Sequence, residues 1–135
     1  MTCFVDTSAI LAILDVSDPR HSAAHDELTR MRDESATLLT TNYIVLEASA
    51  VIQRRLGMEA VRTLVADLLG VVTVHWIDEV VHTAAMGHYL SEGRRRLSLV
   101  DCTSFEVMRR LGIDHAFAFD PHFAEQGFAC RPSEV

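Results

Sequence analysis

Lysine is absent from this 135-residue chain; all twelve basic residues are arginine. That excludes a GxxxxGK[ST] phosphate loop, a Schiff-base lysine and a lysine-dependent phosphorylation site of the receiver kind. Cysteine is scarce: Cys3, Cys102 and Cys130 are odd in number, far apart and without CxxC spacing. They argue against a disulfide framework or a zinc ribbon, and read as small buried residues in a reducing compartment. Long apolar runs are missing too. Stretches such as "YIVLEASAVI" are too short and too interrupted to span a bilayer, and no basic segment precedes a signal-peptide cleavage site. A soluble cytoplasmic protein is expected. Repeats, low-complexity tracts and linkers are also lacking, so a single domain over residues 1–135 is expected.

What is present is enough for a core: 49% of the residues are hydrophobic and only 23% are charged, with the apolar residues spread along the chain. The net charge of −7 argues against coating nucleic acid by bulk electrostatics. Any nucleic-acid chemistry must therefore be local. "TCFVD", "TLLTT", "VVTVHWI", "HAFAF" and "FACR" read as strands, the last at a sheet edge. Helices are expected over "TSAILAILD", Asp18 to Met31, Asn42 to Leu56, Met58 to Leu69, Asp78 to Leu90 and Leu99 to Leu111. A short one should follow Asp120-Pro121. Buried strands alternating with helices imply a three-layer α/β/α fold with a mainly parallel sheet.

In such sheets functional groups gather beyond the carboxyl ends of the strands. Asp6 closes the first strand and Asp120 closes "HAFAF", although each is equally placed to cap the helix that follows. Ser98 to Asp101 fits the [ST]-x-x-[DE] helix-start pattern, so capping accounts for Asp101 as well. It does not account for Glu47, the only charged residue between Tyr43 and Ile52, whose helical neighbours are Tyr43, Ile44, Ala50 and Val51. A carboxylate on an apolar face is costly unless its head reaches solvent or it meets a cation. One cleft shared by Asp6, Glu47, Asp101 and Asp120 explains all four. Two carboxylates about 5 Å apart repel by roughly 3 kcal/mol at an effective dielectric near 20. Four of them require cations. Oxygen-only ligation favours Mg²⁺ or Mn²⁺ over zinc, and such ions activate water and stabilise charge on a phosphodiester.

In these residues the chain resembles the PIN-domain family over essentially its whole length, and within it the small VapC-type toxins of toxin–antitoxin pairs. The resemblance is carried by "VDTSAILAILD", "NYIVLEASAVI", "LSLVDCTSFEVMRRLGI" and "AFAFDPHFAEQGF", in that order. It implies a Mg²⁺- or Mn²⁺-dependent endoribonuclease. Asp6 and Asp101 then take the core metal role, Glu47 and Asp120 the supporting acidic roles, and Ser8, or else Thr7, the orienting hydroxyl. It also implies a homodimer and a VapB-like antitoxin covering the cleft. A catalytically silent PIN-like module that binds RNA or protein, and a small-molecule phosphohydrolase using the same acids, are the alternatives.

Other features lead elsewhere. His21 and His25 have metal-pair spacing, but "HSAAH" lacks the HExxH glutamate. Cys102 reads as a buried structural thiol rather than a nucleophile. Arg94, Arg95 and Arg96, just ahead of Asp101, form either a solvated loop or a phosphate-gripping patch.

Overall fold

The computed structural model describes residues 1–133. Five strands form one sheet in which every neighbouring pair is parallel: β1 (Thr2–Val5), β2 (Thr37–Thr41), β3 (Thr73–His75), β4 (His115–Phe117) and β5 (Ala129–Arg131). Their order in space is β3-β2-β1-β4-β5. The chain thus builds outward from β1 to β3, then crosses back and builds outward on the other side. The reversal falls between β1 and β4, where the diverging connections leave a crevice at the carboxyl ends of the strands.

Seven helices cover the sheet: α1 (Thr7–Leu14), α2 (His21–Asp33), α3 (Asn42–Leu56), α4 (Met58–Thr63), α5 (Glu79–Glu92), α6 (Leu99–Leu111) and α7 (His122–Glu125). α1 packs on α2 and α3, and α5 on α6. With the right-handed crossovers that parallel connections take almost without exception, this strand order puts α1 to α4 on one face and α5 to α7 on the other, the three-layer α/β/α arrangement expected from the sequence. The central strand β1 is buried from Cys3 to Val5. Beneath it Phe4, Phe105, Phe123 and Phe128 form an aromatic cluster, with Phe105 and Phe123 edge to face at 5.0 Å between centroids. This cluster pins α7, a helix too short to hold itself, to α6 and the sheet.

Four departures from the expected elements have local causes. The helix expected from Asp18 begins at His21, because the Asp18 carboxylate accepts the Arg20 N–H at 2.8 Å and holds a turn instead. The segment Met58 to Leu69 is helical but changes character halfway: residues Leu64–Leu68 form a π-helical turn, and the Leu69 N–H bonds to the Leu64 carbonyl. "VVTVHWI" contributes only Thr73–His75 to the sheet, pairing with Leu39 to Thr41; beyond Thr41 the partner strand turns into α3 and the ladder has nothing to continue on. "HAFAF" likewise pairs only over His115–Phe117, so Asp120 stands in a short loop beyond β4 rather than at its last residue.

Candidate active site

That loop is held in place by α1. Asp6 caps α1, and its Oδ2 accepts the Ser8 N–H at 3.2 Å and the Ser8 hydroxyl at 2.6 Å. The same Ser8 oxygen accepts the Phe119 N–H at 3.0 Å, which is why the chain leaves the β4 ladder there. The Asp6 N–H bonds to the Phe117 carbonyl. Ser8 therefore ties the residue after β1 to the residue before Asp120 across the switch point. Thr7, the other hydroxyl, is buried with its Oγ1 lacking a hydrogen-bond partner among the described residues.

Asp101 enters from α6. Its Oδ2 accepts the Ser98 N–H at 3.0 Å while the Ser98 hydroxyl accepts the Asp101 N–H at 3.1 Å, a complete capping box. The cap expected from the sequence is thus real, and among the described residues it leaves the other carboxylate oxygen without a hydrogen bond. Asp120 closes the group from the β4 loop: its Oδ1 accepts the His122 N–H at 2.8 Å, and Pro121 rather than Asp120 occupies the cap position of α7.

The three aspartates feel one another. Asp6 is only 4% exposed. Its carboxyl is pushed up to about 7 by burial, opposed by the two Ser8 hydrogen bonds and reinforced by the negative charges of Asp101 and Asp120. Asp101 is also raised, chiefly by burial, and Asp120 again contributes. Among the described residues no arginine pairs with any of the three. Buried carboxylates elsewhere in the molecule are treated differently: Glu27, 3% exposed, is paired with Arg131 at 2.5 Å and with Arg30 at 2.8 Å. An uncompensated acidic centre at the switch point fits a hard divalent cation.

His122 was not apparent from the sequence as a site residue. One ligand atom each from Asp101, Asp120 and His122 lie within 4.8 Å of one another, a grouping that neither Asp6 nor Glu47 joins. The signal was available in "DPHF": a strand-end aspartate that accepts the N–H two residues on folds that residue back over itself. Glu47 lies on the second turn of α3, half-buried, with no hydrogen bond or ion pair among the described residues. Its surroundings are less apolar than its neighbours suggested, since Ala50 is exposed. Arg94 is exposed and bonds to Glu125 of α7 at 3.2 Å, which brings the loop ahead of α6 towards the Asp120 side of the centre. Arg95 and Arg96 are exposed. Alongside Asp120 a cavity of about 530 Å³ is lined by Arg20, Phe119, Pro121 and Pro132, with the Arg20 guanidinium 5.5 Å from the Phe119 ring centre. His21 is not set up for zinc: its Nδ1 lies 2.8 Å from the Ala12 carbonyl, and it belongs to no metal-ligating group among the described residues. Cys102 is buried, which raises its thiol.

A parallel α/β domain with acids and a histidine gathered at its switch point has the side chains that a divalent cation takes as ligands. The chain belongs to the PIN-domain family, whose model, described as "PIN domain", matches residues 3–129. It is 33% identical over 126 residues to the 23S rRNA-specific endonuclease VapC20 of Mycobacterium tuberculosis, covering 93% of this chain and 94% of that protein. The crystal structure of VapC20, described as a sarcin-ricin loop cleaving toxin, superposes with a TM-score of 0.82 at 32% identity, over 95% of this chain and 96% of the other. The fold is shared further by VapBC2 from Rickettsia felis, bound to a promoter DNA fragment, with a TM-score of 0.72 at 7% identity over 97% and 98% of the two chains. FitAcB from Neisseria gonorrhoeae gives 0.67 at 14% identity over 96% of each.

Proposed function

We propose that this protein is a Mg²⁺- or Mn²⁺-dependent endoribonuclease, the toxin of a VapBC-type pair. The observation that carries the reading is the convergence of Asp6, Asp101 and Asp120 at the switch point with no arginine paired to any of them among the described residues. Asp6, Asp101 and Asp120 would hold the ion, with Glu47 contributing from α3. When bound, the ion supplies an activated water and offsets the charge that develops on the phosphodiester. Ser8 keeps the Asp6 carboxylate and the Asp120 loop in register, and the Ser98 capping box fixes the orientation of Asp101. Arg95 and Arg96, joined by Arg94, would grip phosphates flanking the scissile bond.

The similarity to a 23S rRNA-specific endonuclease makes ribosomal RNA the first substrate to offer. An antitoxin partner follows from the same likeness and from the toxin–antitoxin systems among the similar structures. A homodimer is supported by large apolar side chains left in solvent, among them Leu46 at 73%, Trp76 at 74% and Leu90 at 69% exposure. Incubation of purified protein with ribosomal RNA should give discrete fragments with Mg²⁺ or Mn²⁺ and none in EDTA. Metal-dependent binding without cleavage by wild type would instead mark a silent binding module, and release of phosphate from small esters with intact RNA a phosphohydrolase.

A further inference from the structure

We infer that His122 is itself a ligand of the metal centre, supplying one nitrogen to an otherwise oxygen-only set and turning its preference towards Mn²⁺. This rests on the metal-centre reading above and adds a residue and a selectivity to it. His122 is held over the centre from two sides. Its N–H is bonded to Asp120, and the next residue, Phe123, is fully buried in the aromatic cluster. The side chain is 14% exposed. Its Nδ1 is shielded from solvent and lies 2.8 Å from Asp120 Oδ1, yet out of line for a hydrogen bond, so this buried nitrogen has no hydrogen-bond partner among the described residues. An imidazole lone pair facing a carboxylate oxygen that closely is costly unless a proton or a cation lies between them.

A shared cation removes the cost. Two neighbouring ligand atoms of an octahedral ion with bonds of about 2.1 Å are roughly 3.0 Å apart, close to the separation found here. Asp101, Asp120 and His122 each offer a ligand atom within 4.8 Å of the others, which matches the reach of one coordination shell. An imidazole in that shell changes what the site selects. Mg²⁺ takes oxygen ligands and keeps its waters; Mn²⁺ shares that preference for carboxylates and water but, as a first-row transition ion, loses less than Mg²⁺ when one oxygen is exchanged for an imidazole nitrogen.

The experiment is pulsed electron paramagnetic resonance on the intact protein loaded with Mn²⁺, with binding isotherms for Mn²⁺ and Mg²⁺ alongside. Wild type should show modulation from a directly coordinated imidazole nitrogen. His122→Asn and His122→Ala should both lose that modulation, and their Mn²⁺ affinity should fall by roughly tenfold or more, with Mg²⁺ affinity changed much less. A merely positioning histidine, bonded to Asp120 from outside the shell, would lower affinity without giving directly bound nitrogen, so Mn²⁺ bound by wild type without that modulation overturns the inference and leaves the metal centre standing. Modulation that persists in both variants also overturns it. Failure of wild type to bind either ion overturns the metal reading and this inference together.

Discussion

Asp6 is the residue on which the proposed chemistry turns. It does two things that a surface aspartate would do separately: it caps α1 through Ser8 and presents a buried carboxyl to Asp101 and Asp120. Its raised pKa has a consequence for the metal-free protein. The folded value of about 7 lies above the ordinary 3.8, so below about pH 4 the carboxyl is protonated whether the chain is folded or not, and the full contribution to stability is present. As pH rises the unfolded chain ionises first while the folded chain holds its proton, and that stability is lost up to about pH 7. In EDTA, wild type should therefore lose of order a few kcal/mol between pH 4 and pH 7 relative to Asp6→Asn. Denaturant melts of both proteins across that range check it; parallel profiles would mean that Asp6 ionises freely in the folded state.

At the scale of elements, the sequence conveyed more about existence than extent. The hydrophobic, β-branched character of "TCFV" and "TLLTT" marked the central strands because those segments are buried or half-buried along most of their length. It overestimated "VVTVHWI" and "HAFAF", whose ends are decided by what their neighbours do: α3 begins opposite His75, and Ser8 captures the Phe119 N–H. Such limits are tertiary and leave no trace in local composition. The Ser98 to Asp101 cap was legible because both partners are local. Asp6, Asp101 and Asp120 were legible as candidates from their places in the pattern, and the structure brings them to one switch point. His122 was not legible because only the fold of the loop, through the bond from its N–H to the Asp120 carboxylate, brings its imidazole beside the acids. The four-residue α7 depends on Phe123, which packs on Phe4, Phe105 and Phe128. Phe123→Ala should cost about 3–5 kcal/mol, measured by urea unfolding, and should depress cleavage in the fraction that remains folded. A loss under 1 kcal/mol would show that α7 is held by something else.

For the molecule as a whole, the problem is how a protein of net charge −7 takes hold of RNA. The proposed answer is a local field: cations in the acidic centre and exposed arginines beside it, with the rest of the surface contributing little. Changing Arg94, Arg95 and Arg96 together to Gln should weaken RNA binding at low salt and flatten its salt dependence, because fewer counterions are released, while metal affinity stays nearly the same. Fluorescence anisotropy over a salt series measures the slope, with Asp101→Asn, which should bind RNA without cutting it, as the background. An unchanged slope would return these arginines to an ordinary solvated loop.

The central claim is that the carboxylates at the switch point share a metal ion, and thermal melting of wild type and Asp101→Asn in EDTA and across a Mg²⁺ or Mn²⁺ series tests it most directly. The amide can still accept the Ser98 N–H, so the capping box survives, and it removes one of the mutually repelling charges. Metal-free Asp101→Asn should melt at or above wild type. Metal at about a hundredfold over its dissociation constant should raise wild type by roughly 10 °C, since the ion binds only the folded chain, and Asp101→Asn should lose most of that rise. Equal metal-dependent rises in the two proteins would contradict the claim, because Asp101 would then be a helix cap and nothing more.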